Sequence, residues 1–565
     1  MLFRSVIGSD NYTLRGDEYH PRLPYEISAA VVPDFFPDGY VAQAVSSVSL
    51  LNHDLLVSYN KEFNNFTSST VAGYNIQYSN TDFVSQEGRG LSFEKPTLNA
   101  AVNLFKRVES GKSEQLLSGY FLQQTFGYKE QIFLTLAGRV DGSTAFAPQN
   151  RNQFYPKIGM SWILSDYWKS NASLSKLVST AKIRGSYGQA GNLTGIGAYD
   201  RFDNYQGGVF NGASAFSPSR TLANADMKPE RMTETEFGAD FSFLKNKIGL
   251  SVNLYQQKVT DLLITGVMAS SGGGTRIIKN APDSTYLSNK GIEILLNVNA
   301  VKTKNFSWDL GLNWSANRNK IFGVEGGLIS LRGSDGTQSV VSGQPYGVFY
   351  GRYYARATDG NYLFTAQGLR QPARGTQAVS YKPGTEVLDG GQPSTKGTTE
   401  LRKVIGNPNP DWIGSFNSAI AYKKISLNFQ FDAFWGASIY NWNRVTSNNV
   451  GWGKLADQEI KGEVPRGTVA SVAGGVTGSR IQEEHVEDAS YIKLRELALT
   501  YSFGKMGAFK DLNFSVIGRN LYSFDKYQGF DPETNSAGQS DRVRGDDFGA
   551  VPIPRTIMAR LTAKF

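Results

Sequence analysis

Side chains that usually perform catalysis or bind metals are scarce in this chain. Its 565 residues include no cysteine and three histidines, His20, His53 and His485, which lie far apart in the sequence. Without thiols there is no disulfide or thiolate metal site, and the histidines lack the ligand spacing of a zinc site. No Ser–His–Asp triad or paired-carboxylate arrangement stands out. We therefore expect a protein that is not an enzyme and has no cofactor.

Two loop segments have compositions that could hold an ion. Gly272, Gly273 and Gly274 resemble a phosphate-binding loop, but no helix beginning with Lys-Ser/Thr follows them, which favours an ordinary loop. A long segment near the end of the chain is rich in carboxylates, and oxygen-rich loops can bind calcium. The irregular spacing favours turns and solvated charge, with loop calcium as the alternative. The carboxylates concerned are Asp531, Glu533, Asp541, Asp546 and Asp547.

Aromatic residues in two long polar segments are the best candidates for ligand contacts. Flat rings stack on sugar faces, and exposed rings also anchor partner proteins. The alternative is that these rings pack the loops against each other or against a partner. The candidate substrate or partner contacts are Tyr346, Phe349, Tyr350, Tyr440, Trp442 and Trp452.

The elements that would present these loops are β-strands. Aromatic residues form 12 % of the chain and glycine accounts for 60 residues, a composition typical of many strands joined by turns. The 58 basic and 50 acidic residues are spread along the chain, whereas a nucleic-acid-binding protein concentrates its basic residues in one patch. No run of about 18 apolar residues encodes a transmembrane helix. We expect an all-β chain that does not bind nucleic acid.

Apolar and polar residues alternate in many segments. Ile425, Leu427 and Phe429 fall on one face of such a segment, and Ser426 and Asn428 fall on the other. This period of two predicts strands with one apolar and one polar face. About 15 strands are predicted, as a final strand after seven hairpins near 54–78, 114–140, 156–188, 232–258, 290–316, 414–435 and 490–522. The pattern also predicts a helical turn within 165–180 and a bulge near Glu496–Leu497.

The connections between these strands alternate between two lengths. Short turns, such as 303–305 and 423–424, alternate with long polar segments, such as 317–413 and 436–489. Outer-membrane barrels have short periplasmic turns and long extracellular loops, whereas soluble sandwiches do not sort their loops in this way. The fold class predicted is therefore an antiparallel transmembrane β-barrel, and its final strand would end at the periplasmic side.

Seven segments of the chain share sequence patterns with one protein family. They occur in the family's order, and the strand pattern around them runs from residue 54 to Phe565. Each segment is a weak pattern alone, but their order over most of the chain makes the resemblance specific. The segments are RVDGS (139–143), FYPKIGMSW (154–162), KIRGSYGQAGN (182–192), SNKGIE (288–293), VEDASYIKL (486–494), GRNLY (518–522) and YQGFDPE (527–533). With these segments the chain resembles the SusC/RagA family of TonB-dependent outer-membrane transporters.

This resemblance implies a barrel of 22 strands with an N-terminal plug inside it, in the outer membrane of a Gram-negative bacterium. It also implies import of oligosaccharides, glycan fragments or peptides, driven by TonB–ExbB–ExbD. A SusD-like surface lipoprotein would cover the barrel as a lid. Membrane lipid and the barrel-assembly machinery would be further partners, and the terminal Phe565 resembles the aromatic signal that this machinery recognises.

The chain departs from the family pattern at its N-terminal side. No signal peptide, TonB box or plug is apparent, and about 15 of the implied 22 strands are found, so we expect a fragment of a longer transporter. Residues 54–565 would be the C-terminal part of the barrel. Residues 1–53 would be a remnant, mostly loop, and residues 1–5 would be foreign to the protein. Two other functions stay open: a passive porin, and a secreted β-rich glycan-binding protein or adhesin.

Overall fold

The computed structural model describes the chain in two compact units. Unit 1 comprises Met1–Met160, Tyr187–Thr233 and Asp261–Ala281, and unit 2 comprises Ser161–Ser186, Glu234–Thr260 and Pro282–Phe565. The residues described are 1–22, 38–168, 171–192, 196–211, 213–268, 271, 274–331, 338–357, 359–375, 388–389, 392–393, 399–473, 481–538 and 543–565. Gly272, Gly273 and Asp541, which the sequence raised as possible ion ligands, lie outside this part of the chain.

Sixteen long antiparallel strands dominate the two units, and within each unit their order follows the chain. All seven predicted hairpins and the predicted final strand are confirmed. The strands are β1 (Leu2–His20), β2 (Tyr40–Phe63), β3 (Phe66–Leu91), β4 (Ala101–Tyr128), β5 (Ile132–Ser143), β6 (Asn152–Ile163), β7 (Val178–Asn192), β8 (Glu230–Phe243), β9 (Ile248–Thr260), β10 (Tyr286–Lys302), β11 (Phe306–Phe322), β12 (Trp412–Tyr422), β13 (Ile425–Trp435), β14 (Tyr491–Met506), β15 (Phe509–Asp525) and β16 (Thr556–Lys564).

The expectation that residues 1–53 are mostly loop is wrong. Strand β1 lies there, and it pairs with β2 from Leu2↔Ser58 to His20↔Tyr40. Polar stretches such as Ser9-Asp10-Asn11 interrupt the alternation of β1. The strand forms nevertheless, because it is held by backbone hydrogen bonds, which need no apolar side chain. This strand accounts for the difference between the 15 strands expected and the 16 observed.

Short turns join the two strands of every hairpin except β6–β7. The pairs β2–β3 and β12–β13 are joined by two residues each, and the first of these, Asn64 and Lys423, has a φ of 50° and 53° respectively. Left-handed residues at these positions match the turn to the twist of the strands, as in two-residue hairpins generally. The β6–β7 hairpin differs, because its connection at 164–177 is longer and contains the predicted helical turn, the helix Ala172–Leu177. The other α-helices that the structure describes lie in the long connections that alternate with the turns.

These long connections contain small sheets and short helices. Their α-helices, within the described residues, are Pro148–Arg151, Trp442–Asn449, Lys454–Ile460 and Thr468–Ala473. Among the described residues, none of the helices is long and apolar enough to span a membrane. Their short strands are Tyr205–Phe210, Ala213–Pro218, Thr221–Leu222, Leu263–Val267, Arg276–Asn280, Leu328–Ser330, Gln338–Val341, Val348–Arg352, Arg374–Gly375, Leu388–Asp389, Gln392–Pro393, Thr399–Glu400, Arg402–Gly406, Ser438–Asn441, Val486–Asp488 and Asp546–Asp547.

The strand register in unit 2 aligns residues of similar polarity in rows across β9 to β14. We call the two sides of this sheet the apolar face and the polar face. One row of the apolar face is Leu250, Leu296, Leu312, Phe416, Phe431 and Leu494. The neighbouring row of the polar face is Ser251, Leu295, Asn313, Ser415, Asp432 and Lys493. A slip of one residue would exchange the faces, so the alternation specifies the register.

Strand β16 continues the same two faces. Leu561 lies opposite Phe514 and Ala559 opposite Val516, all on the apolar face, whereas Arg560 lies opposite Ser515 on the polar face. Leu561 remains 67 % exposed although it is apolar. An exposed apolar row with a cation on the reverse side is the arrangement expected for a strand between lipid and an aqueous interior.

Candidate functional site

A pocket of about 570 Å³ lies on the polar face of unit 2, between β9 and β14. It is lined by Glu293, Asn313, Ser315 and Ser415 at its centre, and register places these side chains next to each other on β10, β11 and β12. Within the described part of the chain, none of these four side chains forms a hydrogen bond or an ion pair. The centre of the pocket therefore offers one carboxylate, one amide and two hydroxyls to a ligand.

Polar side chains on the β9 side of the pocket are already paired. Arg184 on β7 donates to the carboxylate of Asp240 at 2.5 Å and also donates to Asn253. Ser251 donates to the other oxygen of Asp240 at 2.6 Å. Because every member of this group has a partner, it fixes one side of the pocket instead of offering groups to a ligand.

An ion-pair cluster closes the other side of the pocket. Lys493 Nζ lies 2.5 Å from Asp531 and 2.9 Å from Glu533, and Arg495 binds Asp432 and Glu533 at 2.7 Å each. Lys493 and Asp531 side chains are only 6 % and 9 % exposed. The cluster ties the segment after β15 to the polar face of β14.

This cluster bears on the calcium alternative. The carboxylates of Asp531 and Glu533 form ion pairs with Lys493 and Arg495. A bound cation would have to displace those two basic side chains. Asp547 lies apart from this cluster and accepts a hydrogen bond from the hydroxyl of Tyr527 at 2.6 Å. Asp531, Glu533 and Asp547 are thus held by ion pairs and hydrogen bonds to protein groups.

A bulge in β14 explains how Arg495 reaches the pocket. Leu494 pairs with Phe431 and Glu496 pairs with Gln430, so Arg495 is the extra residue. A bulge of this kind lets two successive side chains project on the same side of the sheet. Arg495 binds Asp432 and Glu496 binds Arg519, both on the polar face. The predicted bulge is thereby confirmed, one residue earlier than expected.

The candidate aromatic residues of the long connections lie mostly inside them. Phe349 and Tyr440 are fully buried with ring centroids 6.0 Å apart, and Trp442 packs on Tyr440 at 5.1 Å. Tyr350 is also buried, at 5 % exposure, and Tyr346 is half-buried. Phe349, Tyr350 and Tyr440 are thus inaccessible to a ligand, which corrects their proposed role as contact residues. They form the core of the connecting segments because several aromatic rings there must be removed from water.

Trp452 differs from the other candidates. Its side chain is 74 % exposed, and it lies between the helices Trp442–Asn449 and Lys454–Ile460. Val450, two residues before it, and Ile460, at the end of the following helix, are also exposed. Trp452 is the candidate in this set whose ring is free to meet a substrate or partner, and that role stays a prediction.

A second group lies in the same connections, around Arg370. Arg370 lies over the rings of Tyr362 and Tyr354, at 4.4 and 5.5 Å, and also pairs with Glu484 at 2.9 Å. Burial raises the pKa of the Tyr354 hydroxyl above its ordinary value, and the nearby Glu484 charge adds to this effect. Arg370 and Glu484 are 114 positions apart, so sequence periodicity carried no signal for their pairing.

Glu459 fixes the helical segment that follows Trp452. Its carboxylate accepts the backbone N–H groups of Val469 at 2.7 Å and Gly467 at 2.9 Å, and these hydrogen bonds lower its pKa. A lowered pKa means that this stabilisation is complete above the ordinary glutamate value of about 4.3. It is lost as the pH falls through the lowered value.

We therefore expect Glu459→Ala to reduce the hydrogen-exchange protection of the 467 and 469 amides about tenfold at pH 7, since charge-assisted hydrogen bonds are lost. In the unchanged protein, the protection factors should fall between pH 5 and pH 3. In the variant they should not vary with pH over this range. The variant Asp457→Ala is a matched control, because Asp457 pairs with the exposed Lys461. Equal protection in both variants would contradict this assignment.

The pocket residues Glu293, Asn313, Ser315 and Ser415 were also not singled out from the sequence. Each falls on the polar side of an alternating segment, so the sequence indicated the face. Their proximity depends on register between strands whose partners lie up to about 100 residues apart, such as Asn313 and Ser415. Alternation within one strand carries no information about that pairing.

Comparison with known proteins places the chain in a family. Residues 8–360 match the family model described as TonB dependent receptor-like, beta-barrel. TonB-dependent receptor P26 of Formosa agariphila is 27 % identical over 554 residues, which cover 91 % of this chain and 53 % of that receptor. TonB-dependent receptor SusC of Bacteroides thetaiotaomicron is 23 % identical over 475 residues, which cover 80 % and 44 %. The chain spans about half the length of these curated relatives.

Solved structures agree with the fold. The structure of the RagAB peptide transporter matches with a TM-score of 0.77 and 19 % identity, over 100 % of this chain and 60 % of that one. At this identity the match supports the fold alone. Together with the family model it confirms the all-β fold and the resemblance to SusC/RagA proteins that the sequence segments indicated. The chain belongs to the TonB-dependent receptor-like β-barrel family.

Proposed function

We propose that the chain forms part of the wall of an outer-membrane importer of the SusC/RagA type. The observation that carries this proposal is the two-faced sheet of unit 2, whose apolar face exposes Leu254, Leu312 and Leu499 although they are large and apolar. Such a face suits contact with lipid, and the polar face, with its pocket, suits an aqueous path. The protein would act as a transporter and not as an enzyme.

Aromatic residues on the apolar face support this placement. Tyr422 and Phe503 lie beside the short turns, whereas Trp412 and Trp435 stack at 6.1 Å near the long connections. Aromatic residues at both ends of an apolar band are typical of strands that cross a membrane, because their rings favour the two interfaces. The long connections would then face the outside and the short turns the periplasm.

The cargo and partners of the whole protein follow from its relatives as proposals. Nutrients of the oligosaccharide or peptide class would pass into the periplasm, with energy from TonB–ExbB–ExbD and a SusD-like lipoprotein as the lid. The solved relative is named as a peptide transporter, which supports peptides as one class of cargo. Trp452, exposed in the long connections, is the proposed contact for cargo or lid.

The proposal is tested by membrane fractionation and uptake. The protein should separate with the outer membrane, need detergent for extraction and migrate differently on gels before and after heating. Cells carrying it should accumulate a labelled peptide or oligosaccharide only with an active proton gradient. Uptake without the gradient would indicate a passive porin, and a soluble folded product would indicate a secreted binding protein.

Phe565 is proposed as part of the signal for barrel assembly. Its ring packs on Phe509 at 5.1 Å and is otherwise 79 % exposed. Deletion of Phe565 should therefore reduce the amount of protein inserted in the outer membrane several-fold, as measured by heat-modifiable migration. Phe565→Tyr, which keeps the aromatic ring, should retain insertion. Equal insertion of the deletion variant would count against the role.

A further inference from the structure

We infer that the pocket on the polar face binds the basic side chain of a peptide segment, with Glu293 as the acceptor of its charge. The inference rests on the proposed function in one respect, since it assigns a ligand class to the face that would line the transport path. It depends on the composition of the pocket, on its surrounding charge and on which of its groups are already paired.

The unpaired groups at the pocket centre accept hydrogen bonds more than they donate. Glu293 is an exposed carboxylate, and its cross-strand neighbour Ser315 and the nearby Asn313 and Ser415 supply further oxygens. A carboxylate with neighbouring hydroxyl and amide oxygens satisfies an ammonium or guanidinium group, which has only donors. An anionic ligand would instead face the Glu293 charge without a free basic group to bind it.

Charge around the pocket favours a cation. The two flanking networks contain four basic side chains, Lys182, Arg184, Lys493 and Arg495. They are outnumbered by the five carboxylates of Glu236, Asp240, Asp432, Asp531 and Glu533, and Glu293 adds a sixth. A site lined by an excess of one sign of charge attracts ligands of the other sign.

The apolar part of the pocket favours a peptide over a sugar as the ligand. The exposed apolar side chains are aliphatic, with Leu295 at 41 % and Ile413 at 45 % exposure. The aromatic rings on this face, Phe434 and Tyr491, stack on each other at 5.6 Å, and Tyr491 is only 7 % exposed. Tyr491 is thus not presented to a sugar, and Phe434 is half-buried with one face against Tyr491. The exposed aliphatic surface suits the methylene stem of lysine or arginine.

The pocket is also the right size for one side chain and its flanking backbone. Its volume of about 570 Å³ lies within the range of small-ligand sites. The paired networks on both sides hold its edges in place, so the central groups are presented without first breaking an interaction. The basic group could be carried by a free peptide or by a segment of the protein itself, and the chemistry at Glu293 is the same for both.

The test uses the intact protein purified in detergent and a short peptide with one central lysine. Its comparison peptide carries acetyl-lysine, which keeps the stem and removes the charge. Glu293→Gln should weaken binding of the lysine peptide about tenfold, as expected for loss of a charge-assisted hydrogen bond, and leave the acetylated peptide unaffected. Because binding is measured on purified protein, a failure of import in cells leaves this result intact.

Asp309→Asn is the matched control, because it also removes a carboxylate from the polar face. Asp309 lies on β11, where it accepts a hydrogen bond from Asn299. Equal weakening by both variants would overturn a specific role for Glu293. If a segment of the protein itself occupies the pocket, peptide binding should be unchanged while Glu293→Gln lowers the thermal unfolding temperature and Asp309→Asn does not. No effect of Glu293→Gln on either measurement overturns the inference.

Discussion

Replacement of Lys493 with methionine is expected to destabilise the protein by about 3–5 kcal/mol. Lys493 is 6 % exposed and binds Asp531, which is 9 % exposed, at 2.5 Å. Methionine fills a similar volume but leaves the carboxylate of Asp531 without its main partner in a site with little water. The cost therefore comes from an uncompensated buried charge more than from the loss of an attraction. The midpoint of urea unfolding of the reconstituted protein measures it.

Two further variants separate this cause from a simple change of side chain. Lys505→Met alters an exposed lysine on the same strand and should change the free energy of unfolding by less than about 0.5 kcal/mol. The double variant Lys493→Met with Asp531→Asn removes the unpaired charge and should recover part of the lost stability. If the double variant is as unstable as the sum of the two single variants, the pair is not coupled and our explanation fails.

Replacement of Leu312 with arginine is expected to cost about 2–4 kcal/mol if the apolar face contacts lipid. Leu312 lies in the middle of the apolar row, between Leu296 and Phe416, and is 38 % exposed. In an aqueous environment, arginine at such an exposed strand position would cost little. The change in the free energy of unfolding, measured in lipid vesicles, therefore shows whether the apolar face contacts lipid or water.

Asn313 provides the matched control, since it is the next residue of β11 and lies on the polar face. Asn313→Arg introduces the same side chain one position away and should alter the unfolding free energy much less than Leu312→Arg. It should also weaken binding of a basic peptide, because it places a cation in the same pocket as Glu293, next to its cross-strand partner Ser315 on the polar face. Equal costs for the two variants would contradict the assignment of the faces.

The Lys493–Asp531 pair also shows how the motif YQGFDPE contributes to the structure. Asp531 and Glu533 come from this motif, and their basic partners Lys493 and Arg495 lie on β14. The motif was recognised in the sequence as a family resemblance, without a physical reason for its two carboxylates. The structure supplies that reason, since they hold a long connection against one wall of the pocket.

Strand positions, faces and hairpins were determined by the sequence alone. Alternation over ten or more residues, as in β13, is a local property, because each side chain points opposite to its neighbour whatever the rest of the chain does. Turn lengths are equally local, so the seven hairpins were correctly predicted. Strand β1 was missed because polar residues such as Asp10 and Asn11 interrupt its alternation.

Only the tertiary structure decided which polar residues meet and which aromatic residues are buried. Lys493 and Asp531 are 38 residues apart, and Asn313 and Ser415 are paired across the long connection between β11 and β12. Such contacts depend on strand register and on the paths of the connections. The alternation within a single strand carries no information about either. Tyr440 and Trp452 are both aromatic residues in polar segments, yet one is fully buried and the other is 74 % exposed. Burial depends on neighbours from distant segments, whereas the two-faced strand depends on its own backbone.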